Sequence, residues 1–208
     1  MPKYVTEFIG TFFLVFTVAA AAIGGWAPIG FAPLAIGSVL MVMIFAGGHI
    51  SGGHYNPAVS MAVFVRGKMS AMDMIIYWVV QVAAGVVAAV LAMSLLGISA
   101  SAPLAVDTTK VVIAEFLFTF ALTFVVLNVA TAKGTEGNSF YGLAIGFTVL
   151  AGAYAVGSVS GGVFNPAVGT GITLLGLIDF TNLAIYVVTQ LVAGAVAGFV
   201  FRFLHPGE

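Results

Sequence analysis

The triplet Asn-Pro-Ala occurs twice in this chain of 208 residues, at Asn56-Pro57-Ala58 and at Asn165-Pro166-Ala167. Asparagine is a favoured helix N-cap, because its side-chain oxygen accepts a backbone N–H of the first turn. Proline suits the first helical position, where the donor it lacks would have no partner. Ala58 and Ala167 are small enough to let two helix tips touch. Capping uses the amide oxygen and leaves the NH2 group to donate elsewhere. Each triplet follows a loop with paired glycines, Gly52 and Gly53 before His54, Gly161 and Gly162 before Val163. Such pairs permit unusual backbone angles, and an extended loop there would present a ladder of carbonyl oxygens. Few other residues offer chemistry. Glu7 and Glu115 are carboxylates in apolar surroundings, which mark either a proton relay or a structural tie. His49 and His54 lie five apart with no third ligand nearby, so no metal or other cofactor is expected. The chain has no cysteine, which removes disulfides, thiolate metal sites and cysteine nucleophiles.

The elements that carry these residues are set by composition. Apolar residues make up 62% of the chain and charged residues 6%, with a net charge of -1. Soluble domains carry roughly 25% charge. The mean hydropathy of +1.19 agrees that most of the surface meets lipid, and no basic patch points to nucleic acid. Crossing ~30 Å of hydrocarbon takes ~20 apolar residues. Six segments fit, at about 4–24, 33–49, 72–97, 109–131, 140–157 and 180–203. The first is expected to be a spanning helix and not a removable signal. The second and fifth are short and lead into the Gly-rich loops. Two further apolar stretches, roughly 57–65 and 166–175, cover only ~15 Å each. A half-span of that kind must be buried in protein or line a water-filled cavity. Ser70-Ala71-Met72-Asp73 resembles a capping box, and Asp107 and Asp179 sit where helices should begin.

The chain repeats itself. A shift of 109 residues lays Ser51–Val59 on Ser160–Val168, Leu34–Gly37 on Leu143–Gly146, Gln81 on Gln190 and Tyr77 on Tyr186. A shift of 108 lays Glu7 and Thr11 on Glu115 and Thr119. The two repeats, about 1–100 and 105–208, make one domain. Each holds three spans, an odd number, so the second enters from the opposite face and the pair is inverted. The fold class is therefore all-α integral membrane, with six transmembrane helices and two re-entrant half-helices in an inverted 3+3 repeat. The half-helices enter from opposite sides and their N-termini meet near the midplane. The Asn56 and Asn165 amides would there donate to one passing water, whose own hydrogens then point outward, so a file of waters cannot relay a proton through it. The helix N-termini add ~0.5 positive charge each, which opposes cations. Lys3, Arg66, Lys68, Lys133 and Arg202 fall on one side and Lys110 on the other, which puts both termini in the cytoplasm.

These paired triplets and loops resemble the aquaporins of the major intrinsic protein family, and the resemblance covers nearly the whole chain. It implies a homotetramer with a pore in each subunit, and it implies that Glu7 and Glu115 hold the re-entrant loops by hydrogen bonds. It also places the family's narrow selectivity filter at Ile36, Ala153, Gly162 and Val168. The family often carries histidine at the position of Ala153 and arginine at that of Val168; solute-permeable members of vacuolar membranes can also carry valine there. Glycerol facilitators usually have aspartate where Gly169 stands. The expectation is a passive channel for water and small uncharged solutes, in which ammonia, urea, hydrogen peroxide or glycerol also pass a wide, apolar filter. The alternatives are a channel mainly for those solutes and a non-conducting scaffold. An enzyme would need a triad or metal that the interior does not offer, and a transporter would need a coupling-ion site. His54 is expected at the cytoplasmic vestibule, His49 as a stay for the loop, and Gln81 and Gln190 in bonds between helices. A plasma or inner membrane is the default location.

Overall fold

The computed structural model describes residues 1–100 and 102–208. These form eight α-helices, with no strand among the described residues. Helix α1 (Pro2–Val18) opens with proline at its first position and runs on as a π-helical turn, Ala19–Ile23. Then come α2 (Ala32–Ser51), the short α3 (Pro57–Arg66), α4 (Ala71–Leu96), α5 (Thr108–Ala130), α6 (Tyr141–Ser160), the short α7 (Pro166–Leu174) and α8 (Phe180–Leu204). Six of them are long and apolar enough to cross a membrane; α3 and α7 have 10 and 9 residues.

Two boundaries depart from the sequence expectation. Helices α2 and α6 do not stop at 49 and 157 but reach Ser51 and Ser160, 20 residues each. What ends them is the left-handed backbone of Gly52 (φ 89°) and Gly161 (φ 85°), which glycine adopts without a steric penalty. The helix starts follow capping chemistry. Asp107 accepts from the N–H groups of Thr109 at 3.0 Å and Lys110 at 3.2 Å. Ser70 Oγ accepts from Asp73 N at 3.1 Å. The expected reciprocal half of that capping box is replaced: the Asp73 carboxylate accepts from Lys3 Nζ and Tyr4 OH, both at 2.8 Å, which ties the start of α4 to the start of α1. Asp179 holds the N-cap of α8 without a side-chain cap bond.

Packing repeats between the halves. Helix α1 lies along α4 and α5 along α8, while α2 meets α6 across the pseudo-twofold. Each half-helix leans on the other half, α3 on α8 and α7 on α4. In lipid no hydrophobic force drives helices together, so close contact depends on small residues. A methyl group added at Gly37 would sit 2.7 Å from Gly146 O, and one at Gly146 would sit 2.5 Å from Gly37 O. One at Gly85 would sit 2.6 Å from Ala167 O, and one at Gly194 would overlap Ala58 O. The half-helix tips are thus seated directly on bare helix backbone. Large apolar side chains such as Phe13, Val79, Leu117 and Phe199 face outward, as lipid requires, and a set of polar side chains is buried inside. Among these Arg66, at the end of α3, is buried. It donates to Thr131 Oγ1 and Thr131 O, both at 2.9 Å, pairs with Glu208 Oε2 at 3.1 Å and lies over the Phe201 ring.

These contacts separate two kinds of glycine. Gly194→Val should lower the thermal unfolding midpoint in detergent markedly, because overpacking costs ~1–3 kcal/mol even where side chains can yield and here the obstacle is backbone. Gly157→Ala, whose new methyl meets nothing within 4 Å, should raise the midpoint slightly, since Ala is favoured over Gly in a helix by up to ~1 kcal/mol. Equal shifts for the two variants would refute this account of the packing.

Candidate functional site: a pore between two re-entrant loops

Ahead of each half-helix run four residues of irregular backbone, Gly52–Tyr55 and Gly161–Phe164. At bilayer depth the polar groups of such a segment need partners within the protein or the water of a cavity. The two glutamates supply them. Glu7 Oε1 accepts from Ser51 Oγ at 2.7 Å and His54 N at 2.9 Å, and Oε2 accepts from Tyr55 N at 2.7 Å and Gln81 Nε2 at 2.8 Å. Glu115 repeats the set with Ser160 Oγ at 2.6 Å, Val163 N at 3.0 Å, Phe164 N at 2.7 Å and Gln190 Nε2 at 2.8 Å. Both side chains are fully buried. A carboxylate has about four lone-pair sites, so four donors fill each one. Turning the glutamine NH2 groups toward the carboxylates leaves Gln81 Oε1 and Gln190 Oε1 without a partner, alike in both halves.

The loops are not extended. Gly52, Gly53 and Tyr55 all have positive φ, and so do Gly161, Gly162 and Phe164. Tyr55 at 49° and Phe164 at 48° are not glycine, and such a conformation costs ~1–3 kcal/mol and persists only when its surroundings impose it. Here they do. Each residue gives its N–H to a glutamate, and each carbonyl is bonded from the opposite loop. Asn165 Nδ2 donates to Tyr55 O at 2.8 Å, and Asn56 Nδ2 donates to Phe164 O at 2.9 Å. The amide oxygens cap their own helices, Asn56 Oδ1 accepting from Ala58 N at 2.8 Å and Asn165 Oδ1 from Ala167 N at 2.9 Å. The sequence left each NH2 wholly free; the structure ties one of its two N–H bonds across the midplane and leaves the other.

A cavity of about 70 Å³ passes this crossing. It brings together Ile36, Ala153, Gly162 and Val168 with Asn56 and Asn165, and it is also lined by Gly53, His54, Gly161 and Val163. At ~10–15 Å³ for the space that one water centre needs, it has room for a short file of waters. Pro57, Ala58, Pro166 and Ala167 are buried behind it, with the two alanine carbonyls against Gly194 and Gly85. Gly52 lies outside it, in a wider vestibule of about 370 Å³ at the end of the molecule where α1 starts; His54 lines both spaces. His49 is not a stay for the loop. It sits exposed on α2 beside Lys68 and Lys133, in a second wide pocket at that end.

Several contributors were not visible as such in the sequence. Ser60 Oγ lies 3.0 Å from His54 Nδ1 and accepts from Gln81 Nε2 at 3.3 Å. The Trp78 indole donates to Pro57 O at 2.9 Å. Tyr77 OH and Tyr186 OH donate to the last helical carbonyls, Ser51 O and Ser160 O, each at 2.7 Å. Their matched positions in the repeat were the one available signal. The apolar wall from Leu122, Val126, Ile145 and Val149 carries no signal of its own, being indistinguishable from lipid-facing residues by type.

Comparison with known proteins agrees with this architecture. The family model described as major intrinsic protein matches residues 1–201. The chain is 35% identical over 219 residues to a rice (Oryza sativa subsp. japonica) protein named probable aquaporin TIP2-2, covering 99% of this chain and 88% of that one. It is 33% identical to glycerol uptake facilitator protein-like 6 of Lactiplantibacillus plantarum, covering 98% of each. In fold it is similar to the crystal structure of the aquaglyceroporin from Plasmodium falciparum, with a TM-score of 0.78 at 23% identity over 98% of this chain and 94% of that one.

The carboxylate geometry yields a test. Glu115→Gln turns one acceptor oxygen into a donor that faces donors, and each buried donor left unpaired costs ~1–3 kcal/mol. The variant should therefore unfold at clearly lower temperature in detergent, and Glu7→Gln should do so to a similar extent. If either variant keeps the wild-type midpoint and changes only proton flux across liposomes, the carboxylates are relays and not loop ties.

Proposed function

We propose that this chain, which belongs to the major intrinsic protein family, is a passive pore for water and small uncharged solutes that rejects ions and protons. The observation that carries the proposal is the single cavity lined at once by Asn56, Asn165 and the ring Ile36, Ala153, Gly162 and Val168. Each asparagine keeps one N–H after its cross-loop bond. The two can hold the oxygen of a passing water and turn its hydrogens outward to its neighbours, so a proton cannot be handed along the file. Two helix N-termini, worth ~0.5 positive charge each, face each other at the same level and oppose cations where little water remains to shield them.

The ring has no charged side chain. With valine at 168 it lacks a fixed positive charge and a bulky donor, so exclusion of cations falls mainly to the midplane. An apolar ring with small members at 153 and 162 admits ammonia, urea, hydrogen peroxide and glycerol beside water. A second reading, in which those solutes are the main cargo and water is secondary, draws support from the same ring and from the likeness to a protein named as a glycerol uptake facilitator. Glycine at 169 weighs against a pore dedicated to glycerol. A cavity lined by both asparagines weighs against a non-conducting scaffold. Lys3, Lys68 and Lys133 line the pockets at one end and Lys110 stands at the start of α5, which supports an orientation with both termini in the cytoplasm, in a plasma or inner membrane. Assembly as a homotetramer is part of the proposal.

Stopped-flow light scattering on proteoliposomes tests it. Wild type should pass water together with urea and glycerol. Val168→Arg should cut solute uptake by about tenfold or more, the scale for one group added to a tight site, and largely spare water. If well-folded wild type moves nothing, the channel proposal fails. Passage of water alone would show that the pore is too narrow for these solutes and overturn the solute part of the proposal.

A further inference from the structure

The pore is not symmetric about its midplane, although the chain that builds it is. The midplane cavity and the terminus-side vestibule adjoin, and among the described residues the two that line both are His54 and Val126. They come from different elements, His54 from the loop before α3 and Val126 from α5, and both are buried, at 7% and 5% exposure. The His54 ring is held on several sides. Its Nδ1 lies 3.0 Å from Ser60 Oγ, its face meets the Tyr77 ring edge-on with centroids 5.2 Å apart, and its main-chain N–H is bonded to Glu7. Space at Gly52 is needed for it as well, since a methyl there would lie 3.0 Å from His54 Nε2.

The repeat supplies an internal control. The positions matching His54 and Val126 are Val163 and Val18. Both line the main cavity, and that cavity continues beyond them to Ala22, Gly161 and Leu177. The matching pair at the far end thus lies within the cavity, whereas His54 and Val126 lie where cavity meets vestibule, and there an imidazole stands in place of an isopropyl group. Ser60, which steadies that imidazole, is matched by Gly169.

We propose that the size limit for solutes is set at a neck between His54 and Val126, and not at the ring of Ile36, Ala153, Gly162 and Val168. The inference rests on the pore function proposed above and assigns where that pore discriminates. The neck is amphipathic. With Nδ1 engaged by Ser60, the second ring nitrogen remains for one polar edge of a solute, and the Val126 methyls meet its carbon face. The solute class it suits is small polyols and amides whose polar groups lie along one side, with a cut-off by cross-section.

The experiment measures uptake of water, glycerol and the four-carbon polyol erythritol by proteoliposomes that carry wild type, Val126→Ala, Val126→Ile or Val168→Ala. Val126→Ala should raise the ratio of erythritol to water uptake by about tenfold, the scale of one or two methylenes in an apolar site. Val168→Ala should change it by less than about twofold, since methyls removed from a ring that is not limiting release little discrimination. Val126→Ile should lower glycerol uptake relative to water, and it carries the test if Val126→Ala does not fold by circular dichroism and size exclusion. A larger gain from Val168→Ala than from Val126→Ala overturns the neck and leaves the pore standing. Wild type that passes neither water nor glycerol overturns the pore, and the neck with it.

Discussion

A backbone N–H placed at the centre of a bilayer has no water to bond, and everything at the middle of this molecule depends on how that need is met. Each re-entrant loop solves it with one carboxylate. Glu7 and Glu115 each collect a serine hydroxyl, a glutamine amide and two successive loop N–H groups. With its N–H fixed there, the residue before each asparagine is forced into left-handed backbone, and its carbonyl is turned toward the opposite loop. That carbonyl then takes one N–H of the opposite asparagine. The donors that face the pore are what remain after these demands are met, so their position is fixed by bonds made on the far side of the loops.

The bare backbone of α4 and α8 completes the arrangement. Gly85 and Gly194 let the tips of α7 and α3 sit on helix carbon with no side chain between, and Gly37 and Gly146 bring α2 and α6 together in the same way. The scaffold obeys the twofold closely, down to paired unsatisfied glutamine oxygens. The wall of the pore obeys it less. On the terminus side His54, Ser60 and Gln81 form a polar chain; the matching positions 163, 169 and 190 hold valine, glycine and glutamine. Symmetry governs the bonds that tie the two loops, and one departure from it, His54 against Val163, lies on the wall of the cavity.

Much of this was legible in the sequence, for identifiable reasons. Hydropathy located the six spans because lipid imposes a length. The half-helices were legible because Asn-Pro is a strong helix start and the apolar stretch behind it is too short to cross. The pairing of Glu7 with Glu115 and Gln81 with Gln190 came from the repeat. What escaped depends on contacts distant in the chain. The ends of α2 and α6 are set by left-handed glycines one residue after the serines, and Gly-Gly does not say which glycine ends a helix. The second role of each asparagine amide needs a partner 108 or 110 residues away. Asp73 looked like half of a capping box, but Lys3 and Tyr4 offer it charge and a hydroxyl from another helix. Val126 and Ile145 are apolar residues on spanning helices, and only packing separates the ones that face the pore from those that face lipid.

The crossed asparagine bonds also bear on how the molecule is made. Tyr55 O waits for Asn165, 110 residues later in the chain. At ribosomal speeds of ~5–20 residues per second, the interval is roughly 5–20 seconds. Until Asn165 has been made, Tyr55 O lacks its donor from the second loop. The first loop is therefore completed only by a residue of the second repeat. A translation arrest or a truncation after the first repeat would leave a half-molecule whose most polar segment has lost the partner meant to close it, which is the kind of species that membrane quality control must recognise.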